Sequence, residues 1–426
     1  MIRPTRAWRT AAVLATATLV LSACGSDTEP NAGDKSATPT ESGSAKTGDG
    51  TLTIGTLLPQ TGDLAFLGPP EFAGVDLAIE DINAAGGVLG KDVVKHDADS
   101  GDGTPDIAGS EVDQLLNKKV DAIIGAAASG VSVSVIDKIT GAGVVHFSPA
   151  NTAAGFDTYD DKGLYFRTAP SDVLQGQILA NLVVGDGNSN VAIMGRQDFY
   201  GEGLSEQVRT TVEEKGASVA EFVLYAADAQ NYTAEITKIA ASKPDALVLV
   251  AFDETKKIIP ALIAKGIGPQ DIQIYFTDGN LADYSAEKFN LAGVKGTVPV
   301  SADPDPGFED RLLGINPALK SFLYGPQAYD ATIILALAAI QAGDDSGEAM
   351  GAEIVKVTKD GTACATFEEC AGLLEAGEDI DYEGASGPTD MTDSGSLIAG
   401  TYGIQEYGKN NKYTQIDAIS GIVPTS

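Results

Sequence analysis

"VDAIIGAAASGVSVSVIDKITGAGVVHFSPANT", residues 120–152, contains two short apolar runs on either side of a longer amphipathic run. The short runs, 120–125 and 144–147, predict buried strands, and the run between them predicts a helix. A helix between two strands indicates a right-handed crossover, which makes the two strands parallel neighbours in one sheet. This stretch therefore predicts the repeating unit of an α/β fold.

The same alternation begins at Thr51 and starts again near residue 190, which predicts two lobes, each a parallel sheet flanked by helices. Residues 297–375 contain helices without a full sheet of their own, so we expect them to complete the first lobe. The expected division is 51–168 plus 299–384 for lobe 1, and 169–298 plus 385–426 for lobe 2. Segments that cross between the lobes then form a multi-crossing hinge beside a cleft that can close.

The first 23 residues predict a targeting signal. Arg3, Arg6 and Arg9 precede an apolar run that ends in "LSAC", with Cys24 as its last residue. This order is typical of a bacterial lipoprotein, in which the cysteine is lipidated and becomes the mature N-terminus. An ordinary secretory signal with an incidental cysteine is the alternative. Residues 24–50 are polar and rich in Ser, Thr, Gly and Asp, which predicts a disordered tether.

Composition limits the possible partners and cofactors. The formal net charge of −32 argues against nucleic acid, whose phosphates require Lys and Arg. The chain has two histidines far apart, so a histidine-rich metal site is not available, and no cofactor motif is present. No nucleophile elbow, P-loop or dinucleotide fingerprint indicates an enzyme. Cys364 and Cys370, six positions apart, predict a local disulfide outside the cytoplasm, with two free buried thiols as the alternative.

Polar residues follow the predicted strands at the edge where parallel sheets bind ligands. In the first lobe these are Ser129 and the "SPANT" segment, with Ala150 and Thr152. In the second lobe they are Phe252 and Asp278, with Tyr200 at the start of a helix. Hydroxyls on one side and a carboxylate with aromatic rings on the other suit a small zwitterion. Its carboxylate would meet Ser129 and Thr152, its ammonium Asp278 and the Ala150 carbonyl, and its side chain Tyr200 or Phe252.

Five motifs together resemble the type I extracytoplasmic solute-binding proteins of ABC importers, the branched-chain amino acid-binding group. In chain order they are "TLTIGTLLPQTGDLAFLGPPEFAGVDLAIEDINAAGG", "VDAIIGAAASG", "FSPANT", "DFYGEG" and "YFTDG". The resemblance runs from Thr51 to the C-terminus. It implies that Ser129, Ala150 and Thr152 hold the α-carboxylate and α-amino group, that Tyr200 covers the ligand, and that Asp278 takes the ammonium. At the position of the cleft-closing aromatic this chain has Leu67, with Phe66 one residue before it.

The signal ending at Cys24 predicts a lipid-anchored protein on the outer face of the cytoplasmic membrane. The resemblance implies that this protein delivers a solute to an ABC permease and its ATPase, and we expect it to be a monomer. A sensory module on the same fold is one alternative, and an amide, urea or aromatic acid as ligand is another. Four of these residues also have a purely structural alternative. In that alternative Ser129 caps a helix, Thr152 and Asp278 form turns, and Tyr200 packs in the core.

Overall fold

The computed structural model describes residues 47–103, 106–305 and 307–424, all within one compact unit, Ala45–Ser426. The expected signal, residues 1–23, the expected lipidation site Cys24 and most of the tether lie outside the described residues. Among the helices of the described part, none is both long and apolar enough to cross a bilayer.

The segment 120–152 lies in the middle of a parallel sheet. The strands of this first sheet are β1 (Thr53–Leu58), β2 (Val94–Asp99), β3 (Ala122–Gly125), β4 (Val145–Ser148) and β5 (Tyr165–Arg167). They lie in the spatial order β2-β1-β3-β4-β5, and every pair is parallel. The connecting helices are α1 (Gly68–Ala84), α2 (Ala108–Asn117) and α3 (Ser129–Gly141). The central strand β3 is buried along its whole length, which explains its continuous apolar sequence.

The chain then enters a second sheet. Its first five strands are β6 (Asn190–Arg196), β7 (Ser218–Tyr225), β8 (Ala246–Val250), β9 (Gln273–Phe276) and β10 (Lys295–Val300). The helices here are α4 (Asp172–Gly185), α5 (Phe199–Glu214), α6 (Thr233–Ser242) and α7 (Thr255–Ala264). Apolar side chains of α4 and α5 cover one face of this sheet, and those of α6 and α7 cover the other.

After β10 the chain returns to the first sheet. The elements of this segment are α8 (Phe308–Ile315), α9 (Gly325–Ala342), α10 (Gly347–Ile354), β11 (Thr362–Cys364), α11 (Phe367–Glu375), β12 (Ile380–Gly384) and β13 (Gly387–Pro388). The helix α9 packs along α1, and its apolar side chains share one core with the strands of the first sheet. Strands β11, β12 and β13 form a small separate sheet.

A buried carboxylate fixes the end of this returning segment. Asp330 in α9 is fully buried and accepts hydrogen bonds from the Tyr382 hydroxyl and from the backbone N–H groups of Ala385 and Ser386, each at 2.8 Å. Burial raises the pKa of Asp330 to about 6, and these donors oppose the rise. The turn between β12 and β13 is thereby tied to α9.

The chain finally adds β14 (Ala399–Tyr407) and β15 (Tyr413–Ile422) to the second sheet. The spatial order of that sheet is β15-β14-β10-β9-β8-β6-β7. Strand β14 runs antiparallel to β10, and it also runs antiparallel to β15, with which it forms a hairpin.

The predicted fold class is confirmed, with one difference: the second sheet is mixed rather than wholly parallel. The chain passes between the two sheets three times, after β5, after β10 and after β13. Neither β5, which has only three residues, nor α4 is among the elements predicted from the sequence. The expected lobe boundaries remain a prediction.

Candidate functional site

The "SPANT" segment at the end of β4 contains two polar residues that bind other parts of the first sheet. The Ser148 hydroxyl donates to the Ala126 carbonyl at 2.7 Å and accepts from the Asn151 N–H at 2.9 Å. The Asn151 side-chain amide donates to the carbonyls of Ala126 and Ala127 at 3.0 and 2.9 Å. These bonds hold the loop after β4 against the loop after β3. Ser148 and Asn151 therefore have a structural role, which the sequence could not separate from a binding role.

The other polar residues of this edge lie at a shared pocket. Ser129 is the first residue of α3, and its hydroxyl accepts from the Ala153 N–H at 3.4 Å. Thr152 is 1% exposed, and its hydroxyl lies beside the carboxyl group of Asp172. Among the described residues, neither the Thr152 hydroxyl nor the Asp172 carboxyl has a hydrogen bond of normal geometry. The edge thus places hydroxyl groups next to the N-terminus of α3, which carries a partial positive charge.

Asp278 lies across the pocket, directly after β9. It starts a short 3₁₀ helix, Asp278–Asn280, in which Thr277 and Asn280 cap each other's backbone. Its Oδ1 accepts from the Tyr200 hydroxyl at 2.8 Å and from the Gln175 amide at 2.9 Å. Its Oδ2 accepts from the Tyr324 hydroxyl at 2.8 Å. Three donors therefore hold this carboxylate in one orientation.

Two buried acids share this region. Burial raises the pKa of Asp172 well above its ordinary value, and the neighbouring charge of Asp278 raises it further. Burial also raises the pKa of Asp278, but the hydroxyls of Tyr200 and Tyr324 and the Gln175 amide oppose that rise. Two adjacent buried carboxyl groups do not both ionise readily. We infer that Asp172 keeps its proton and that Asp278, with its three donors, is the anion.

An aromatic wall closes one side of the pocket. The ring of Tyr200 stacks on that of Phe252, with centroids 5.6 Å apart and planes 24° apart. The guanidinium of Arg196 lies 3.5 Å from the Phe252 centroid in a cation–π contact. Arg196 is itself held by ion pairs with Asp198 and Glu254 at 2.5 and 2.9 Å. Phe252 is therefore fixed by aromatic and cationic neighbours.

The structure brings most of the predicted site residues to one small pocket between the two sheets. The predicted residues that line it are Leu67, Ser129, Ala150, Thr152, Tyr200, Phe252 and Asp278. Phe66 is not among the lining residues and packs instead against the neighbouring apolar core. A groove of about 250 Å³ lies elsewhere, between α9, α11 and β12, and none of the predicted residues lines it. We therefore place the candidate site at the smaller pocket, where the polar groups converge.

Sequence reasoning missed three residues that shape this site. Tyr324 reaches Asp278 from the segment before α9, with a positive φ of 61°. Asp172 and Gln175 lie in the first turn of α4, just after the first passage between the two sheets. The available signal was Ser171 before Asp172, a helix-capping pattern in which the Ser171 side chain accepts from the backbone of the first turn.

Two further predictions concern covalent and metal chemistry. Cys364 and Cys370 form a disulfide, which confirms the predicted pairing, with Cα atoms 5.4 Å apart. Within the described ranges, His, Cys, Asp and Glu side chains form no group arranged to hold a metal ion.

Comparisons with known proteins bear on the family and the fold of this chain. The profile of the family described as periplasmic binding protein matches residues 51–409. The chemotactic signal transduction system substrate-binding protein BasB of Halobacterium salinarum is 24% identical, over 83% of this chain and 86% of its own length. The Leu/Ile/Val-binding protein homolog 3 of Brucella melitensis is 25% identical, over 82% of this chain and 93% of its own length. A crystal structure of a leucine binding protein, LivK, from Thermotoga maritima superposes with a TM-score of 0.72 at 21% identity, covering 87% of this chain and 99% of that one.

Proposed function

Because the chain belongs to the periplasmic binding protein family, we propose that it is the substrate-binding component of an ABC importer and captures an amino acid in the pocket between its two sheets. The observation that carries this proposal is the convergence of complementary groups. Ser129 and Thr152 from the first sheet and Asp278 from the second line the same pocket. The Brucella relative is named as a Leu/Ile/Val-binding protein homolog, which supports an amino acid.

The first-sheet side of the pocket suits the carboxylate of such a solute. The Ser129 and Thr152 hydroxyls can donate to carboxylate oxygens, and both are nearly fully buried. The N-terminus of α3 adds backbone N–H groups and the positive end of a helix dipole. In a site without water these donors stabilise an anion more strongly than on a surface.

The second-sheet side suits the ammonium group. Asp278 is 5% exposed and is the anion of the buried acid pair, so it presents a negative charge with little solvent screening. The Ala150 carbonyl, on the opposite side, is a second acceptor within reach of the same pocket. The side chain of the solute then lies among Leu64, Leu67 and the Tyr200–Phe252 stack. Two leucines in place of an aromatic lid favour an aliphatic side chain.

Binding is proposed to close the two lobes, 51–168 plus 299–384 and 169–298 plus 385–426, about the three passages between the sheets. A solute that contacts both sides favours the closed conformation, because those contacts exist together only when the cleft is shut. The closed monomer is then recognised by the ABC permease and its ATPase. Lipidation of Cys24 and the tether 24–50 would hold the protein on the outer face of the cytoplasmic membrane.

A sensory role is a second candidate, and the relative BasB supplies the observation that favours it. That protein is named as a component of a chemotactic signal transduction system. Transport and sensing both use closure of the protein on a ligand. They differ in the partner protein that binds the closed form. Pull-down of a permease subunit or of a receptor by the ligand-loaded protein distinguishes them.

A thermal-shift screen tests the ligand class. Bound ligand raises the melting temperature by an amount that grows with its concentration relative to Kd. The panel should contain aliphatic and polar amino acids, amides, urea and aromatic acids. We expect the largest shift for an aliphatic amino acid and none for its des-amino analogue at the same concentration. A largest shift with an aromatic acid, an amide or urea would replace the amino acid as the proposed ligand.

A further inference from the structure

A second contact crosses the cleft beside the candidate pocket. Phe199, the first residue of α5, lies against the 3₁₀ helix Ala154–Thr158, which follows the "SPANT" segment of the first sheet. Its ring meets that of Phe156 edge to face, with centroids 5.0 Å apart. Phe199 is not among the residues that line the pocket.

Gly155 provides the space for the Phe199 ring. A Cβ atom on Gly155 would lie less than 3.0 Å from two atoms of the ring, closer than any ordinary contact between carbon atoms. Gly155 has no positive φ, so its backbone does not require glycine. The absence of a side chain at this position therefore serves the approach of Phe199.

The surface that receives Phe199 is held rigidly within the first sheet. Phe156 is fully buried and stacks on Tyr165, with centroids 4.5 Å apart. Arg167 is also fully buried, donates to the Ala153 carbonyl at 3.0 Å and forms an ion pair with Asp157. Because these bonds lie on the first-sheet side, they persist whether or not the cleft is closed. Phe199 thus meets a preformed surface.

We propose that Phe199, seated on Gly155 and Phe156, is a latch that stabilises the closed cleft without touching the solute. The inference rests on the proposed closure of the two lobes about a solute. The apparent Kd of a closing protein equals the intrinsic Kd divided by the fraction of molecules in the binding-competent form. A contact made only on closure therefore strengthens binding of every solute by the same factor. Phe199 also precedes Tyr200, so the latch and the pocket wall move with one turn of α5.

Two single variants and their combination test the latch by titration calorimetry. Phe199→Ala removes the ring, and an edge-to-face aromatic pair with its buried area corresponds to about a 5- to 30-fold loss of affinity. Gly155→Ala forces the same ring away, so we expect a loss of similar size. In the double variant the added methyl group has no ring to displace. The solute affinity of the double variant should therefore equal that of Phe199→Ala alone. Gly203→Ala is the matched control, since a Cβ at that helical position meets no atom within 4 Å.

A measurement without solute separates this proposal from the choice of ligand. Spin labels on cysteines placed at the exposed positions Lys118 and Lys215, in a Cys24→Ser background, report the distance between α2 and the end of α5. We expect Phe199→Ala and Gly155→Ala to shift the distance distribution of the ligand-free protein toward longer separations, and Gly203→Ala to leave it unchanged. This result holds even if no amino acid binds.

Three results would overturn the latch. One is a ligand-free distance distribution that is the same for the wild type, Phe199→Ala and Gly155→Ala. Another is a change in the order of affinities among different solutes in Phe199→Ala, because a latch scales all affinities equally and a contact residue does not. The third is additive losses in the double variant, which would show that Gly155 and Phe199 act separately.

Discussion

Replacement of Asp278 by Asn isolates the charge of the proposed ammonium site. The substituted amide keeps an oxygen that accepts from Tyr200 and Gln175, and its nitrogen can donate to the Tyr324 hydroxyl, so the hydrogen-bonded cluster survives. What is lost is a negative charge on a group only 5% exposed. Removing one partner of a buried, hydrogen-bonded charge pair costs about 2–4 kcal/mol of binding free energy. That cost corresponds to a fall in affinity of about 30- to 1,000-fold.

The assay is titration calorimetry with an amino acid and with its des-amino analogue, which has the same carboxylate and side chain. The analogue has no ammonium group, so Asp278→Asn should weaken its binding by less than about threefold or even strengthen it. Asp172→Asn is the matched control, because the amide mimics the protonated acid already present and should change either affinity by less than about threefold. Equal losses for both ligands in Asp278→Asn would remove Asp278 from the ammonium site. A larger loss in Asp172→Asn than in Asp278→Asn would show that the charge had been assigned to the wrong acid.

Three further predictions concern Asp330, the disulfide and Tyr324 at the pocket. Asp330 has a pKa of about 6 in the folded protein against an ordinary value of 3.8, so its contribution to stability is fully present below about pH 4 and lost as the pH rises through 6. The unfolding free energy of the wild type minus that of Asp330→Asn should fall by about 3 kcal/mol from about pH 4 to 7, and a flat difference would contradict the assignment. Replacing Cys364 and Cys370 by Ser should lower the unfolding free energy by roughly 2 kcal/mol in denaturant titrations and leave solute affinity unchanged, since neither lines the pocket. Tyr324→Phe removes one donor from Asp278 and should change amino acid affinity by about 5- to 30-fold, whereas an unchanged Kd would show that Tyr324 only packs.

The position of the candidate site followed from the sequence because it depends on topology. Once strands and helices alternate, the carboxyl ends of parallel strands must meet at one edge, and Ser129 and Thr152 follow adjacent strands there. Asp278 follows β9 in the second sheet by the same rule. These assignments needed no knowledge of side-chain contacts.

Tyr324 and Asp172 could not be found in this way. Tyr324 precedes α9 outside any strand end, and its hydroxyl meets a residue 46 positions away. Asp172 begins α4, in which hydrophobic residues lie on all sides of the helix axis. The sequence therefore has no amphipathic pattern from which this helix could be predicted. Tyr324 lines the pocket, and Asp172 lies beside Thr152 and Asp278 at its edge. Local sequence carries little information about such long-range packing.

The roles within "SPANT" were likewise beyond the sequence. Ser148 and Thr152 are both small hydroxyl residues four positions apart in one loop. The structure binds the Ser148 hydroxyl to Ala126, whereas Thr152 lines the pocket. The direction of each side chain depends on the loop conformation that Arg167 fixes from behind. The mixed second sheet follows from the β14–β15 hairpin, which the parallel pattern before it did not indicate.

A crystal structure with the amino acid that gives the largest thermal shift would locate the solute itself. We predict that its carboxylate oxygens lie within about 3 Å of the Ser129 or Thr152 hydroxyls and its amino nitrogen within about 3 Å of an Asp278 carboxylate oxygen. Electron density for the solute in the groove beside α11, or in this pocket with its amino group remote from Asp278, would contradict the account.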